Sequence, residues 1–141
     1  MGVMALMIMF CTVPVPTQAI TGAENTGTLT GEIIPHFTYI SLLNAGLNIN
    51  SSGKATCIGH ASAYDSSHTT RLTVELQKYT GNGWSTFKSW STSSTGQSIA
   101  GLEEDYYVVH GTYRVCSTAK VYNASGNLLE NKSAYSDTVT Y

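Results

Sequence analysis

The sequence predicts an all-β domain, an antiparallel sandwich of seven strands. From His36 to the C-terminus, segments of about ten residues with alternating polarity are separated by short turn sequences, as is typical of such folds. Thr, Ser, Gly and nine Tyr make up much of this region, and Thr and Tyr suit a half-buried pleated surface. No segment shows sustained helical periodicity, so helices are not expected.

Length and charge limit the number of domains and the kinds of partner that can be expected. The 141 residues are enough for one ordinary domain, and the 42% of hydrophobic residues can form a core. Charged residues are 11% of the chain, against about 25% in an average soluble protein. The net charge is -2 and no basic patch stands out, so nucleic acid is not an expected partner.

The N-terminal segment has the outline of a secretory signal peptide. Met1 to Val13 is apolar and uncharged, and a small-residue cleavage site follows, ending at Ala19. No Lys or Arg precedes the apolar run, which also fits a true start further upstream. A membrane anchor is the alternative, but about 13 apolar residues are fewer than the roughly 20 of a spanning helix. We therefore predict a signal peptide over 1–19, a flexible leader over 20–35 and a secreted domain over 36–141, with no stable membrane span after cleavage.

The first half of the domain contains three predicted strands and a hairpin turn. The first strand is Phe37 to Ile49, and it ends at a turn of sequence Asn-Ser-Ser-Gly. The second, Lys54 to Tyr64, has only small residues at its odd positions, which predicts that this side faces inward: Ala55, Cys57, Gly59, Ala61 and Ala63. The third, Arg71 to Tyr79, leads into Thr-Gly-Asn-Gly, a strong hairpin signal.

Four more strands complete the predicted sandwich. Trp84 to Ser91 returns from the hairpin, and a fifth strand lies within Gln97 to Val109. Gly111 to Asn123 alternates most clearly, with inward positions at Tyr113, Val115, Ser117, Ala119 and Val121. The outward positions of the same strand are Arg114, Cys116, Thr118 and Lys120. Leu128 to Tyr141 is the predicted last strand.

The run Gly111-Thr112-Tyr113-Arg114-Val115 and the later turn at Asn123 to Gly126 resemble the sixth strand and following turn of immunoglobulin-like and fibronectin type III domains. The resemblance implies a tyrosine corner, in which the Tyr113 hydroxyl bonds to the preceding backbone. It departs at two points. Immunoglobulin domains carry a tryptophan on the third strand and this chain has none there, and Cys116 lies three residues after Tyr113 whereas the antibody spacing is two. Such a likeness bears on fold and hardly on function.

The whole chain also resembles a group of small secreted proteins of Gram-positive, gut-type bacteria that have no assigned activity. The shared features are the signal peptide and four short motifs, Tyr39 to Ser41, Ser51 to Cys57, Lys88 to Ser91 and Thr138 to Tyr141. This resemblance implies export and a sandwich fold.

Removal of the signal peptide would leave Cys57 and Cys116. Two cysteines in an oxidising compartment suggest one disulfide, which would stabilise by about 4 kcal/mol on the chain-entropy estimate. Strand parity places Cys57 inward and Cys116 outward, and side chains on such different faces cannot bond unless a bulge shifts one register. A disulfide and two free thiols therefore both remain open.

No catalytic or metal-site signature is present, so neither enzymatic activity nor a cofactor is predicted. The four histidines are isolated in sequence, and a Ser, His60 and Asp65 triad has no supporting motif. The cluster Glu103-Glu104-Asp105 offers oxygen ligands for Ca²⁺, but a solvated bend before a strand is the preferred interpretation.

Aromatic residues provide the candidate binding surface. Trp84 and Trp90 share a strand parity and Phe87 has the other, so both tryptophans face outward if Phe87 fills the core. In that arrangement they and Tyr79 could stack on sugar rings or anchor a protein. The alternative is that one tryptophan covers the core and a bulge reorients the remainder.

The function predicted from the sequence is a secreted, non-enzymatic binding or adhesion module for a cell-surface glycan or protein. A structural subunit that pairs through the edge of its last strand is the alternative. A small secreted hydrolase or effector is a remote third hypothesis.

Overall fold

A computed structural model describes residues 37–141, and the predicted signal peptide and leader lie outside this range. The described residues contain eight strands and no helix: β1 (Ile40–Ile49), β2 (Lys54–Ala63), β3 (Thr69–Tyr79), β4 (Trp84–Thr95), β5 (Ala100–Tyr107), β6 (Thr112–Tyr122), β7 (Leu128–Tyr135) and β8 (Val139–Thr140). They form two antiparallel sheets, one ordered β1-β2-β5 and the other β4-β3-β6-β7, with β8 also paired to β6. The prediction of an all-β fold with two antiparallel sheets is confirmed.

The core lies between the two sheets and follows the predicted alternation. On β3 the inward side chains are Leu72, Val74 and Leu76, and all three are fully buried. The small positions of β2 and the predicted inward positions of β6 are buried as well. Because a period of two places alternate side chains on one face, these three strands account for most of the packed interior.

The prediction of seven strands is wrong, because the last strand is interrupted at Ser136. The backbone N–H of Ser136 donates to the Val115 carbonyl, and the Ser136 hydroxyl accepts from the Val115 N–H at 2.8 Å. A side chain thus takes the place of a backbone carbonyl in the ladder. The chain leaves the β-ladder at this point and re-forms it as β8, beside the start of β6.

The predicted turn after β1 is built by side-chain capping. Asn50 Oδ1 accepts hydrogen bonds from the backbone N–H groups of Ser52 and Lys54, at 3.0 and 2.9 Å. Gly53 has φ of +81°, and a Cβ there would lie 2.8 Å from the Val108 carbonyl oxygen. Glycine is needed here for both its conformation and its size.

Glu130 of β7 ties the beginning of β1 to the opposite sheet. Its carboxylate accepts hydrogen bonds from three successive backbone N–H groups, those of Thr38, Tyr39 and Ile40, at 3.2, 2.8 and 2.9 Å. This contact joins residues about 90 positions apart in sequence. It fixes where β1 begins, three residues later than the Phe37 start predicted from the sequence.

Candidate functional site

The outward side chains of β4, β3, β6 and β7 form a continuous surface, which we call the outer face. The registers place Arg71 opposite Lys120, Thr73 opposite Thr118 and Gln77 opposite Arg114. Directly opposed side chains in an antiparallel pair point to the same side of the sheet. The outer face therefore has rows of different chemistry that follow one another along the strands.

One end of the outer face carries aromatic and guanidinium groups in contact. The Arg114 Cζ lies 4.3 Å from the centroid of the Trp84 ring and 4.2 Å from that of Tyr135. Tyr79 lies beside Trp84, with 5.4 Å between ring centroids. We call these four residues, Tyr79, Trp84, Arg114 and Tyr135, the aromatic end.

The aromatic end is held in place by hydrogen bonds from its neighbours. Arg114 Nε donates to Gln77 Oε1 at 2.9 Å, and the Tyr79 hydroxyl donates to the Gly81 carbonyl at 3.0 Å. Tyr79 and Tyr135 remain about half exposed. Rings that are exposed and already fixed in position lose little conformational entropy when a ligand packs on them.

The two tryptophans lie on opposite sides of their sheet, so the arrangement with both facing outward, which required Phe87 in the core, is not the one observed. Trp90 pairs with the inward Val74 and packs against the core, whereas Trp84 pairs with the outward Tyr79. Between them the β3–β4 register shifts, because Phe87 is an extra residue on β4. Phe87 is 51% exposed instead of filling the core, and its ring contacts Tyr106 of the other sheet. The alternative, with one tryptophan covering the core and a bulge in the strand, is confirmed.

Hydroxyl groups occupy the middle of the outer face. Thr73 and Ser91 share a hydrogen bond of 3.1 Å, and Thr118 and Ser133 share one of 2.8 Å. Both pairs are exposed. They present a polar surface between the aromatic end and the opposite end of the sheet.

The opposite end contains a groove of about 550 Å³ around Arg71 and Lys120. Its lining residues are Arg71, Thr73, Ser91, Thr92, Ser93, Lys120 and Tyr122. A second groove of about 380 Å³ shares Arg71 and Tyr122 and continues to the turn at Asn123 to Gly126. We call the two together the cationic groove.

The sequence did not point to Arg114, Tyr135, Arg71 or Lys120 as members of a surface site. Their contacts depend on the strand registers, which alternation alone does not specify. The alternation of the predicted sixth strand indicated only that Arg114 and Lys120 face outward, and this prediction is confirmed.

The acidic cluster Glu103-Glu104-Asp105 lies within β5 and not at a bend before it. Asp105 accepts a hydrogen bond of 2.7 Å from Thr56 and forms an ion pair of 3.1 Å with Lys54. Hydrogen bonds from the side chains of Thr56 and Lys54, and to a smaller extent the charge of Lys54, lower the pKa of Asp105. Within residues 37–141, no three His, Cys, Asp or Glu side chains are grouped to hold a metal ion.

The residues considered for catalysis have structural partners. His60 Nδ1 lies 3.0 Å from Asn44 Oδ1 on the outside of the three-stranded sheet. Asp65 accepts hydrogen bonds from the side chain and backbone N–H of Ser67 in the turn after β2, and these bonds lower its pKa. These contacts do not identify a nucleophilic serine, which is the third member that the triad would need.

Within residues 37–141 the two cysteines, Cys57 and Cys116, are free thiols, and no disulfide joins them. Of the two arrangements that the sequence left open, the structure has the free thiols. Cys57 faces the core from β2, while Cys116 lies on the outer side of β6 between Glu75 and Tyr135. Burial, and secondarily the charge of Asp105, raises the pKa of Cys57 to about 12. At neutral pH this thiol is protonated and a poor nucleophile.

We expect Cys57 to resist alkylation by iodoacetamide at pH 8 in the folded protein and to react fully in denaturant. The reason is that only the thiolate reacts, and burial suppresses its formation. Peptide mass spectrometry of protein alkylated before and after denaturation measures this. Rapid native labelling of Cys57, or an intact mass lower by two hydrogens, would contradict the prediction.

Tyr113 is fully buried at the start of β6, and its hydroxyl donates to the Val109 carbonyl at 2.8 Å. The bond closes the corner between β5 and β6, which is the contact that the sequence resemblance implies for this residue. It orients the start of the strand that carries Arg114.

No helix in the described part of the chain is long and apolar enough to cross a membrane. The chain matches no protein-family model, and no curated protein shows significant similarity to it.

Proposed function

We propose that the protein is a secreted, non-enzymatic binding or adhesion module that holds a cell-surface glycan or protein on the aromatic end of its outer face. The observation that carries this proposal is the row Trp84–Arg114–Tyr135, stacked at 4.3 and 4.2 Å with Tyr79 beside it. Aromatic rings on a flat sheet can stack on sugar rings, and Trp, Tyr and Arg are the residues enriched among strong protein-binding positions.

We further propose that the fold is an immunoglobulin-like or fibronectin type III-like sandwich. Sheets ordered β1-β2-β5 and β4-β3-β6-β7 support this, because immunoglobulin domains likewise keep the first, second and fifth strands of such a series apart from the third, sixth and seventh. The bond of Tyr113 to the preceding corner supports it too. Domains of this class commonly bind through one sheet face or the loops at one end.

Export is part of the same proposal and is supported by the sequence of residues 1–19. The apolar run from Met1 to Val13 followed by a small-residue site at Ala19 is the pattern of a cleaved signal peptide. Sequencing the N-terminus of the protein recovered from culture medium tests this, and an intact residue 1 on cell-bound protein would contradict it.

A screen of the purified protein against a glycan array and cell-surface proteins tests the binding function. We expect Trp84→Ala and Tyr79→Ala each to weaken the ligand found by about tenfold or more, as is typical when a central aromatic contact is truncated. Phe87→Ala is the control, because Phe87 is an aromatic residue on the same strand as Trp84, is about as exposed as Tyr79 and lies outside the aromatic end. Circular dichroism establishes that each variant is folded.

Two results would contradict the proposed site. One is a ligand whose affinity is unchanged by Trp84→Ala and Tyr79→Ala. The other is a hydrolytic activity lost on a single replacement of His60 or Asp65, which would favour the enzymatic hypothesis.

The second candidate function is a structural subunit that pairs through a strand edge. It is favoured by the two edges of the larger sheet, β4 and β7, each of which pairs on one side only among the strands that the structure describes. However, the bulge at Phe87 and the exposed Lys88 interrupt the β4 edge, and such features discourage edge-to-edge pairing. Light scattering that shows a concentration-dependent oligomer would support this candidate.

A further inference from the structure

The cationic groove brings two positively charged side chains together. Arg71 on β3 is directly opposite Lys120 on β6, and both side chains are exposed. Like charges opposed across two strands are destabilising. Among the described residues, no Asp or Glu lines either part of the groove. Within the described residues, the one ion pair is Lys54–Asp105, which lies on the other sheet.

The two cations are accompanied by hydroxyl groups and a ring. Thr73, Ser91 and Ser93 line the same groove and supply hydrogen-bond donors beside the charges. The Arg71 Cζ lies 5.4 Å from the centroid of Tyr122, which orients the guanidinium over the ring. A planar guanidinium, an ammonium and hydroxyls around an open trough match an oxyanion that carries a polar, hydroxylated body.

We propose that the cationic groove binds the carboxylate or sulfate group of an acidic glycan. The guanidinium of Arg71 would donate two parallel hydrogen bonds to two oxygens of the anion, and Lys120 would neutralise the charge of the anion. The hydroxyls of Ser91 and Ser93 would bond to the sugar. This inference deepens the proposed binding function and rests on it, because it names the class of ligand.

The charge distribution favours a glycan over a membrane or a nucleic acid. Those polyanions are bound through many distributed cations, whereas this chain has seven Lys and Arg against nine Asp and Glu. Here two cations meet at one point of a hydroxyl-rich face. Such a site can select one charged substituent but does not hold an extended polyphosphate.

The position of the groove suits a chain-like ligand that also reaches the aromatic end. From Arg71 to Gln77 the strand advances six residues, or roughly 20 Å at about 3.3 Å per residue. The paired hydroxyls of Thr73 with Ser91 and Thr118 with Ser133 lie between. A glycan lying along the strands would therefore meet cations, hydroxyls, the carboxylate of Glu75 and rings in turn, so its acidic group belongs at the cationic groove.

Calorimetric titration with dextran sulfate, polygalacturonate and uncharged dextran tests the inference. The first probe carries sulfate and the second carboxylate, so the two arms distinguish the source of the anion. We expect one or both to bind, and R71A/K120A to weaken that binding by about tenfold or more, since charge-assisted hydrogen bonds are lost. K88A/K132A removes the same charge from exposed lysines outside the groove and is expected to change affinity by less than about threefold.

Titration of W84A with the same probes separates this inference from the proposed function. Failure of both acidic probes to bind, or equal weakening by R71A/K120A and K88A/K132A, would overturn the inference. If a neutral glycan or a protein still binds in a Trp84-dependent way, the proposed function stands without it. If binding of an acidic probe depends on Arg71 and Lys120 but not on Trp84, the cationic groove is supported as a binding site and the aromatic end is contradicted as one.

Discussion

Replacing Gly59 with alanine is expected to destabilise the protein by about 2 to 3 kcal/mol, the cost of overpacking a tight core. A Cβ at this position would lie 2.5 Å from Val74 Cγ2 and 2.6 Å from Ser117 Oγ. Both of these side chains are fully buried on the opposite sheet. Neither can move aside without displacing its own neighbours, because the interior is close-packed.

The expected effect is large enough to be seen in thermal unfolding. For a domain of about this size, each 1 kcal/mol shifts Tm by roughly 4–8 °C, so Tm should fall by about 10–20 °C. Gly83→Ala is the matched control, since a Cβ at Gly83 meets nothing within 4 Å and its φ is not positive. We expect no loss of stability in that control.

A second replacement, at Ser117, tests whether the loss of stability in Gly59→Ala is steric. The hydroxyl of Ser117 is buried and has no hydrogen-bond partner within residues 37–141, so Ser117→Ala should cost little by itself. The Ser117 Cβ lies 3.6 Å from the added methyl, an ordinary contact distance. Gly59→Ala should therefore be less damaging in a Ser117→Ala background. Strictly additive effects of the two changes would contradict the steric explanation.

Gly59 illustrates what the sequence could predict. The small odd-numbered residues of β2 indicated an inward face, and their burial confirms it. The same period of two correctly placed the core residues of β3 and β6. Burial between two sheets requires a regular alternation of apolar and polar residues, and this alternation can be read from the local sequence. The larger part of the core was therefore predictable.

The errors occur where a strand departs from regular pairing. One extra residue at Phe87 reverses the side-chain parity between Trp84 and Trp90. At Ser136 a hydroxyl replaces a carbonyl in the ladder and divides the last strand in two. Neither the bulge nor the interruption can be predicted from the local sequence, because each depends on the partner strand.

The aromatic end and the cationic groove were only partly predictable for the same reason. Trp84 and Tyr79 were identified by residue type, and their adjacency follows from the hairpin. Arg114 joins them only through the β3–β6 register, and Tyr135 only through β6–β7. Sites made by side chains from several strands require registers that one sequence does not reveal.

The second large effect is expected at Glu130, where Glu130→Ala should destabilise the protein by about 2 to 3 kcal/mol at pH 7. The change removes the acceptor for three backbone N–H groups, of which those of Tyr39 and Ile40 are partly buried. Hydrogen bonds to a charged group contribute about 1.5–3 kcal/mol, and unsatisfied donors add a desolvation cost. Glu130→Gln keeps an acceptor oxygen but loses the charge, so it should cost about 1 kcal/mol.

The contribution of Glu130 also has a predictable pH dependence. Burial opposes its ionisation, but the hydrogen bonds from the backbone N–H groups of Tyr39, Ile40 and Thr38 outweigh this and lower its pKa. A carboxyl whose pKa is lower in the folded state stabilises fully above its unfolded value, about 4.3 for Glu. That stabilisation is lost as pH falls through the lower, folded value. The gap between the wild type and Glu130→Gln should therefore be widest above pH 5 and close as the solution becomes strongly acidic.

Urea unfolding at pH 7, 5 and 3 measures this gap. Asp65 and Asp105 also have lowered pKa values and contribute to the acid sensitivity of every variant, so only the difference between variants reports on Glu130. Glu103→Gln, an exposed carboxyl on β5, is the control and should track the wild type at all three pH values. A gap for Glu130→Gln that stays constant with pH would show that the carboxylate acts through packing and not through its charge. The start of β1 would then be held by contacts other than these three hydrogen bonds, and β1 should keep its amide protection from hydrogen exchange in the variant.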